Sequence, residues 1–318
     1  MIQTKHRQSL SIEDLATEQS NPLTSDLDTK SSLEIARIIN SEDTKVAVAV
    51  QRALPQIARA IDWIADALRN GGRVIYVGTG TSGRIAALDA SECPPTFNTA
   101  PEMVQFVMAG GVEALGMPIE ADEDSHELGA QEIRKRRPGK KDVIVGIAAS
   151  GRTPFTIAAV TAARRAGAKT VAITNNPGSA LEEAAELAIV VETGPEVVTG
   201  STRMKAGSAQ KMVLNMLSTG AMVRLGFVYG NLMVNLRQKN SKLTERALII
   251  LERALSIDRS HARRVLKSAG NDLPVAIIMN MAGVTRRTAQ KALDSAGGLR
   301  NAIELARQRA RRAKGLGE

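Results

Sequence analysis

A chain of 318 residues with 43% apolar side chains is long enough to bury one sizeable α/β core and a smaller second unit. One cysteine (Cys93) cannot form an intramolecular disulfide, three scattered histidines (His6, His126, His261) leave no metal-ligand spacing, and no stretch nears the roughly 20 apolar residues of a membrane span. A zinc site, a Ser/His/Asp triad and a membrane protein are set aside, and a soluble, cytoplasmic protein without metal or organic cofactor is expected. The net charge of +9 gathers in runs at Arg134–Arg137, Arg263–Arg264 and Arg307–Lys314, and 2% aromatic residues offer little for bases to stack on. These charges read as solvated helix faces suited to anionic metabolites, with no nucleic-acid or membrane partner.

Residues 1–30 are rich in Ser, Thr, Gln and Asp without an apolar period and read as a flexible arm. Helical patterns follow at Ser32–Asn40 and Thr44–Asn70, the second broken near Leu54 by Pro55. Strands are predicted at Val74–Val77, Val104–Met108, Val143–Ile147, Thr170–Ile173 and Ala188–Val191. Helices fall between them at Gly83–Ser91, Asp124–Arg136, Pro154–Ala166 and Ser179–Ala185. Alternating strands and helices indicate an α/β fold, a parallel sheet covered on both faces, with its sites beyond the carboxyl ends of the strands. A long helix from Thr202 to Leu225 closes a domain taken as 31–240, and 241–318 reads as a small domain of three to five helices.

Four motifs carry chemistry. Gly78-Thr79-Gly80-Thr81-Ser82-Gly83-Arg84 leads from a strand into a helix, where glycines, hydroxyls and a helix amino terminus suit a phosphate. It lacks the Gly-Lys-Ser/Thr of a nucleoside triphosphate loop and the acidic residue of a dinucleotide site. Ser150-Gly151-Arg152-Thr153-Pro154 repeats the arrangement after another strand, so that one phosphomonoester explains both loops; the alternative for Ser150 and Thr153 is a simple helix cap. Glu92 sits near the carboxyl end of its helix, where the macrodipole disfavours charge, and Glu123, in an acidic run with Glu120, opens the next helix. Two carboxylates in unlike settings suit acid and base work. Lastly, Ser201-Thr202-Arg203-Met204-Lys205 puts two cations in a first helical turn, against the dipole, either facing an anion of the substrate or a partner subunit or reaching outward to solvent.

The runs Gly80–Arg84, Asp89–Thr96, Gly146–Pro154, Asn176–Ser179, Glu196–Gly207, Leu214–Thr219 and Tyr229–Val234 resemble those of the N-acetylmuramic acid 6-phosphate etherase family, in order and over about residues 20–250. The resemblance implies a sugar-isomerase (SIS) domain, a three-layer αβα sandwich around a five-stranded parallel sheet, followed by an all-helical domain similar to ubiquitin-associated domains. It also implies a homodimer acting on a phosphorylated amino sugar, with Glu92 as proton donor and Glu123 as second acid/base. Thr79, Thr81, Ser82, Ser150, Arg152, Thr153, Ser201, Arg203 and Lys205 are the expected substrate-binding set. A sugar-phosphate sensor and an aldose-ketose isomerase would share the loops; a sensor would not need Glu92.

Overall fold

The computed structural model of the protein describes residues 11–117, 119, 122–236, 241–313 and 315. Residues 1–10 of the expected arm, and Glu120, lie outside them. Helix α1 (Ser32–Arg52) opens with a reciprocal cap in which Ser31 and Glu34 satisfy each other's backbone amides. It runs unbroken across Asn40–Thr44, where the sequence pattern lapses, because Glu42 in that polar run is buried rather than solvated. The expected break comes at Ala53, and α2 (Leu54–Arg69) begins with Pro55 in its first turn, where the missing amide is not needed.

Five strands, β1 (Val74–Gly78), β2 (Val104–Met108), β3 (Val143–Ile147), β4 (Lys169–Thr174) and β5 (Leu187–Val190), pair in parallel in the order β2-β1-β3-β4-β5. Every residue of β1 and β3 is buried, as a sheet covered on both faces requires. The connecting helices are α3 (Gly80–Phe97), α4 (His126–Lys135), α5 (Pro154–Arg165) and α6 (Ala180–Ala184), and α7 (Lys205–Arg224) follows β5. From β1 the chain first turns one way to β2, then crosses back to β3 and continues the other way to β4 and β5. With right-handed crossovers this puts helices on both faces and leaves a crevice at the carboxyl ends of β1 and β3, where the winding reverses. Helix α3 continues past the expected end at Ser91 through Pro94 and Pro95 to Phe97, each proline forgoing one helical hydrogen bond.

The described residues fall into two compact units, one from those among 11–91 and 102–218 and the other from those among 92–101 and 219–315. The second holds five helices, α8 (Ser241–Leu255), α9 (Arg259–Ser268), α10 (Leu273–Ala282), α11 (Arg286–Ala296) and α12 (Leu299–Ala313), around a core that includes Leu251, Leu273, Ile277, Ala289 and Ile303. Asp258, Asp272 and Thr285 cap α9, α10 and α11.

In the first unit α4 and α5 meet at Gly129, where an added Cβ would stand 2.1 Å from the carbonyl oxygen of Phe155. Because the obstacle is backbone, the helices must part to admit a methyl group. Gly129→Ala is expected to destabilise the protein by about 2 kcal/mol or more in urea unfolding; a change within about 0.5 kcal/mol would contradict this packing.

Candidate active site

The first loop is shaped by closeness. A Cβ on Gly78 would lie 3.0 Å from the Gly83 amide nitrogen, and one on Gly83 would lie 2.8 Å from Met108 Cγ and 2.9 Å from the Gly78 carbonyl oxygen. Gly80 has φ +49°, a left-handed conformation that glycine adopts without strain. These constraints seat the amino terminus of α3 directly on the ends of β1 and β2. Ser82, expected to hold phosphate, is buried and donates its hydroxyl proton to Gln210 Oε1 at 2.8 Å. Gln210 Nε2 donates to Asn175 Oδ1 at 3.3 Å, and Asn175 Nδ2 donates to the Val191 carbonyl at 2.8 Å. Since a carbonyl only accepts, Val191 fixes the direction of the whole chain, and Ser82 is its terminal donor.

Glu123 ties the first loop to the second. Its Oε2 accepts the Thr79 hydroxyl at 2.9 Å, and its main-chain carbonyl accepts the amide of Phe155, in the first turn of α5, at 3.1 Å. The carboxylate therefore stands over the crevice, between the amino termini of α3 and α5. In the second loop Ser150 Oγ accepts the Arg152 amide at 3.2 Å, and Thr153 occupies the cap position of α5 without a side-chain cap bond. The Ala149 carbonyl accepts Asn176 Nδ2 at 2.9 Å and the Asn175 amide at 3.0 Å, binding the second loop to the turn after β4. Among the described residues no three His, Cys, Asp or Glu side chains are gathered to hold a metal ion.

The start of α7 reaches the first loop, where a Cβ on Gly207 would touch Thr81 Cγ2 at 3.4 Å. Of the two cations expected to face an anion, Arg203 is exposed, whereas Lys205 is buried and bonds Glu42 Oε2 at 2.6 Å. The anion that Lys205 meets is thus a side chain of α1. The dipole is answered by Glu196, fully buried, whose carboxylate accepts the amides of Lys205 at 3.0 Å and Ala206 at 2.9 Å. Burial raises the pKa of Glu196 against these bonds. For Glu42 burial pulls upward too, but the bonds from Lys205 and Lys45 outweigh it and hold the carboxyl below its usual range. Ser201 is half-buried beside this turn. The described part of the expected arm is packed here as well: Leu15 and Thr17 are buried, Asn176 donates to Thr17 Oγ1 at 3.0 Å, and a Cβ on Gly200 would lie 3.0 Å from Glu18 Oε2. A short polar segment with few apolar residues gave no sign of this. Glu42→Ala, which strands a buried ammonium, is expected to cost about 3–5 kcal/mol in denaturant unfolding, and adding Lys205→Met should recover most of it. A double variant as unstable as the single one would show that the pair is not the cause.

Glu92 is exposed on α3. Its neighbour Cys93 is buried. One turn earlier, Asp89 is buried and accepts the hydroxyls of Tyr76 and Ser218, each at 3.0 Å. Asn215, in the amide orientation that satisfies both its neighbours, donates to Asp89 Oδ1 at 3.1 Å and accepts from Lys211 Nζ at 2.7 Å. This cluster fastens α3 to β1 and α7, and it escaped sequence reasoning because Asp89 stood only as one letter of a longer motif. Burial pushes Asp89 up from 3.8 to about 6. The folded state thus holds its proton more tightly than the unfolded state, so the stabilising contribution is complete below about pH 3.8 and is lost as pH rises through about 6. Stability should fall across that window by on the order of 3 kcal/mol more in the native protein than in Asp89→Asn. Parallel pH profiles of unfolding free energy would dismiss the effect.

Models of two families match the first unit: the glucokinase regulatory protein N-terminal SIS domain over residues 56–164, and the SIS domain over residues 131–220. An N-acetylmuramic acid 6-phosphate etherase of Symbiobacterium thermophilum is 57% identical over 260 residues, which cover 81% of this chain and 86% of the relative. Relatives of the same name from Aeromonas hydrophila and Brucella anthropi are 48% identical over 289 residues and 49% over 290, each covering 91% of this chain and 97% and 94% of their own length. A phosphoheptose isomerase structure from Francisella tularensis superposes with a TM-score of 0.50 at 20% identity, covering 61% of this chain and 100% of its own, and shows the shared fold.

Proposed function

The chain belongs to the N-acetylmuramic acid 6-phosphate etherase family, and from that premise we infer that Glu92 and Glu123 are the acid and base of its reaction. The enzyme cleaves the D-lactyl ether of N-acetylmuramic acid 6-phosphate, a step of cell-wall amino-sugar recycling, to give N-acetylglucosamine 6-phosphate and D-lactate. In the open-chain aldehyde the C2 proton is acidic. Glu123 removes it while Glu92 protonates the departing lactyl oxygen at C3, leaving an unsaturated sugar aldehyde. Water then adds at C3 as the two carboxyls exchange roles. The 6-phosphate lies at the amino termini of α3 and α5, whose free amides and dipoles favour an anion, with the hydroxyls of Thr81, Ser150 and Thr153 beside it. Arg152, Ser201 and Arg203 complete the binding set. A phosphomonoester carries a charge that a bilayer rejects, so the substrate stays in the compartment where it is made, which we take to be the cytoplasm.

The observation that carries this reading is the position of Glu123, bonded to Thr79 on one loop and through its backbone to Phe155 on the other. Glu92 is exposed on α3, and we propose that it is supplied across a homodimer, Glu92 of the partner subunit completing the site. Glu92→Gln and Glu123→Gln should each lower lactate release by about a hundredfold or more while binding of the sugar phosphate persists. Mixed and reassociated, the two inactive variants should regain about a quarter of wild-type turnover, because random pairing restores one whole site in half of the dimers. No recovery would place both acids in one chain, and no lactate from the folded wild-type protein would overturn the reaction itself.

A further inference from the structure

The positive charge of this protein is not spread over it. Residues 241–318 hold 16 of the 42 lysines and arginines but 7 of the 33 aspartates and glutamates, which gives the segment the whole net charge of +9. The preceding 240 residues carry 26 of each sign and are neutral. A surplus placed so completely in one helical unit is a field directed at a polyanion.

The unit also has a shape for that field. Helices α10 and α11, of ten and eleven residues, are joined by three residues beginning at Gly283, which takes the left-handed conformation at φ +62°. Thr285 caps α11, and Ala289 and Ala292 turn inward and are fully buried with Ile277 and Ile278 of α10. Two short helices joined by a glycine turn, the second seated by small residues, share the element order of a helix-turn-helix, in which the second helix presents its amino-terminal half to a major groove. On that half Arg287 and Lys291, one turn apart, are exposed and make no ion pair with a described residue. Lys291 lines a groove of about 740 Å³ with Arg309 of α12 opposite, and Arg311 and Arg312 extend the basic face.

We propose that α10–α12 form a binding surface for duplex DNA, with α11 as the helix that enters the major groove and Arg309, Arg311 and Arg312 on the phosphates. The scarcity of aromatic side chains argues against single strands, which are held by stacking, and leaves duplex binding untouched. Among the described residues no large apolar side chain of α9–α12 is exposed, so the surface lacks both the buried anchor of a protein interface and the apolar face of a membrane-bound helix. The deep, narrow major groove of duplex RNA does not admit a helix.

The test is fluorescence anisotropy of the full chain with a labelled mixed-sequence DNA duplex of about 30 base pairs, enough for more than one helical turn. Salt is varied between roughly 50 and 200 mM. Saturable binding that weakens steeply with salt is expected. Arg287→Glu with Lys291→Glu should lower affinity at least about tenfold and reduce the salt slope by about two. The gentler pair Arg287→Gln with Lys291→Gln should fall between, with lactate release unchanged in both. The proposal is overturned if DNA does not bind at the low-salt end or if charge reversal leaves affinity intact. It is equally overturned if polyglutamate, phosphatidylserine vesicles or an RNA duplex of the same length bind as tightly as DNA.

Discussion

The seat of α3 on β1 and β2 is the constraint from which the catalytic unit follows. Side chains at positions 78 and 83 would hold helix and strand apart, so the two glycines admit a contact close enough to point the first helical turn into the crevice. That contact brings the Thr79 hydroxyl to Glu123 and the Ser82 hydroxyl to Gln210, and lower on the same helix it brings Asp89 to Tyr76. Each of these bonds joins α3 or its loop to a different element. A change at either glycine would therefore act on several bonds at once, and the loop is better understood as a packing joint than as a flexible cradle.

The sheet was legible in the sequence because buried parallel strands leave unbroken apolar runs, and its strands fall within two residues of their predicted limits. The two loops were legible because glycine and hydroxyl residues mark strand-to-helix turns whatever binds there. The misses were non-local. Lys205 finds Glu42 at a separation of 163 residues and Ser82 finds Gln210 at 128, and no local pattern encodes either meeting. The lapse at Asn40–Thr44 looked like a loop because Glu42 there is polar, although its charge is answered inside the protein. Helix α3 was cut short for a similar reason, since local propensity stops at Pro94 while the fold carries the helix through.

The start of α7 shows how a helix accommodates a cation in its first turn. Glu196 takes the backbone amides and Glu42 takes the ammonium, so two carboxylates distant in sequence neutralise a position that local rules disfavour. Since Gly207 lies against Thr81, this compensation sets the height of α7 beside the first loop. The buried carboxylates Glu196 and Glu42 thus help to hold the first loop in place. The described arm joins the same arrangement through Thr17 and Asn176.

The directed chain that ends at Ser82 carries one more implication. Because the Val191 carbonyl has no proton to give, the chain cannot reverse, and Ser82 Oγ offers an approaching molecule lone pairs rather than a proton. A group that donates would meet those lone pairs directly, whereas an acceptor would compete with Gln210 for the proton. The polarity of the first loop is in this way decided at Val191, beyond the last strand, with Asn175 and Gln210 carrying it across.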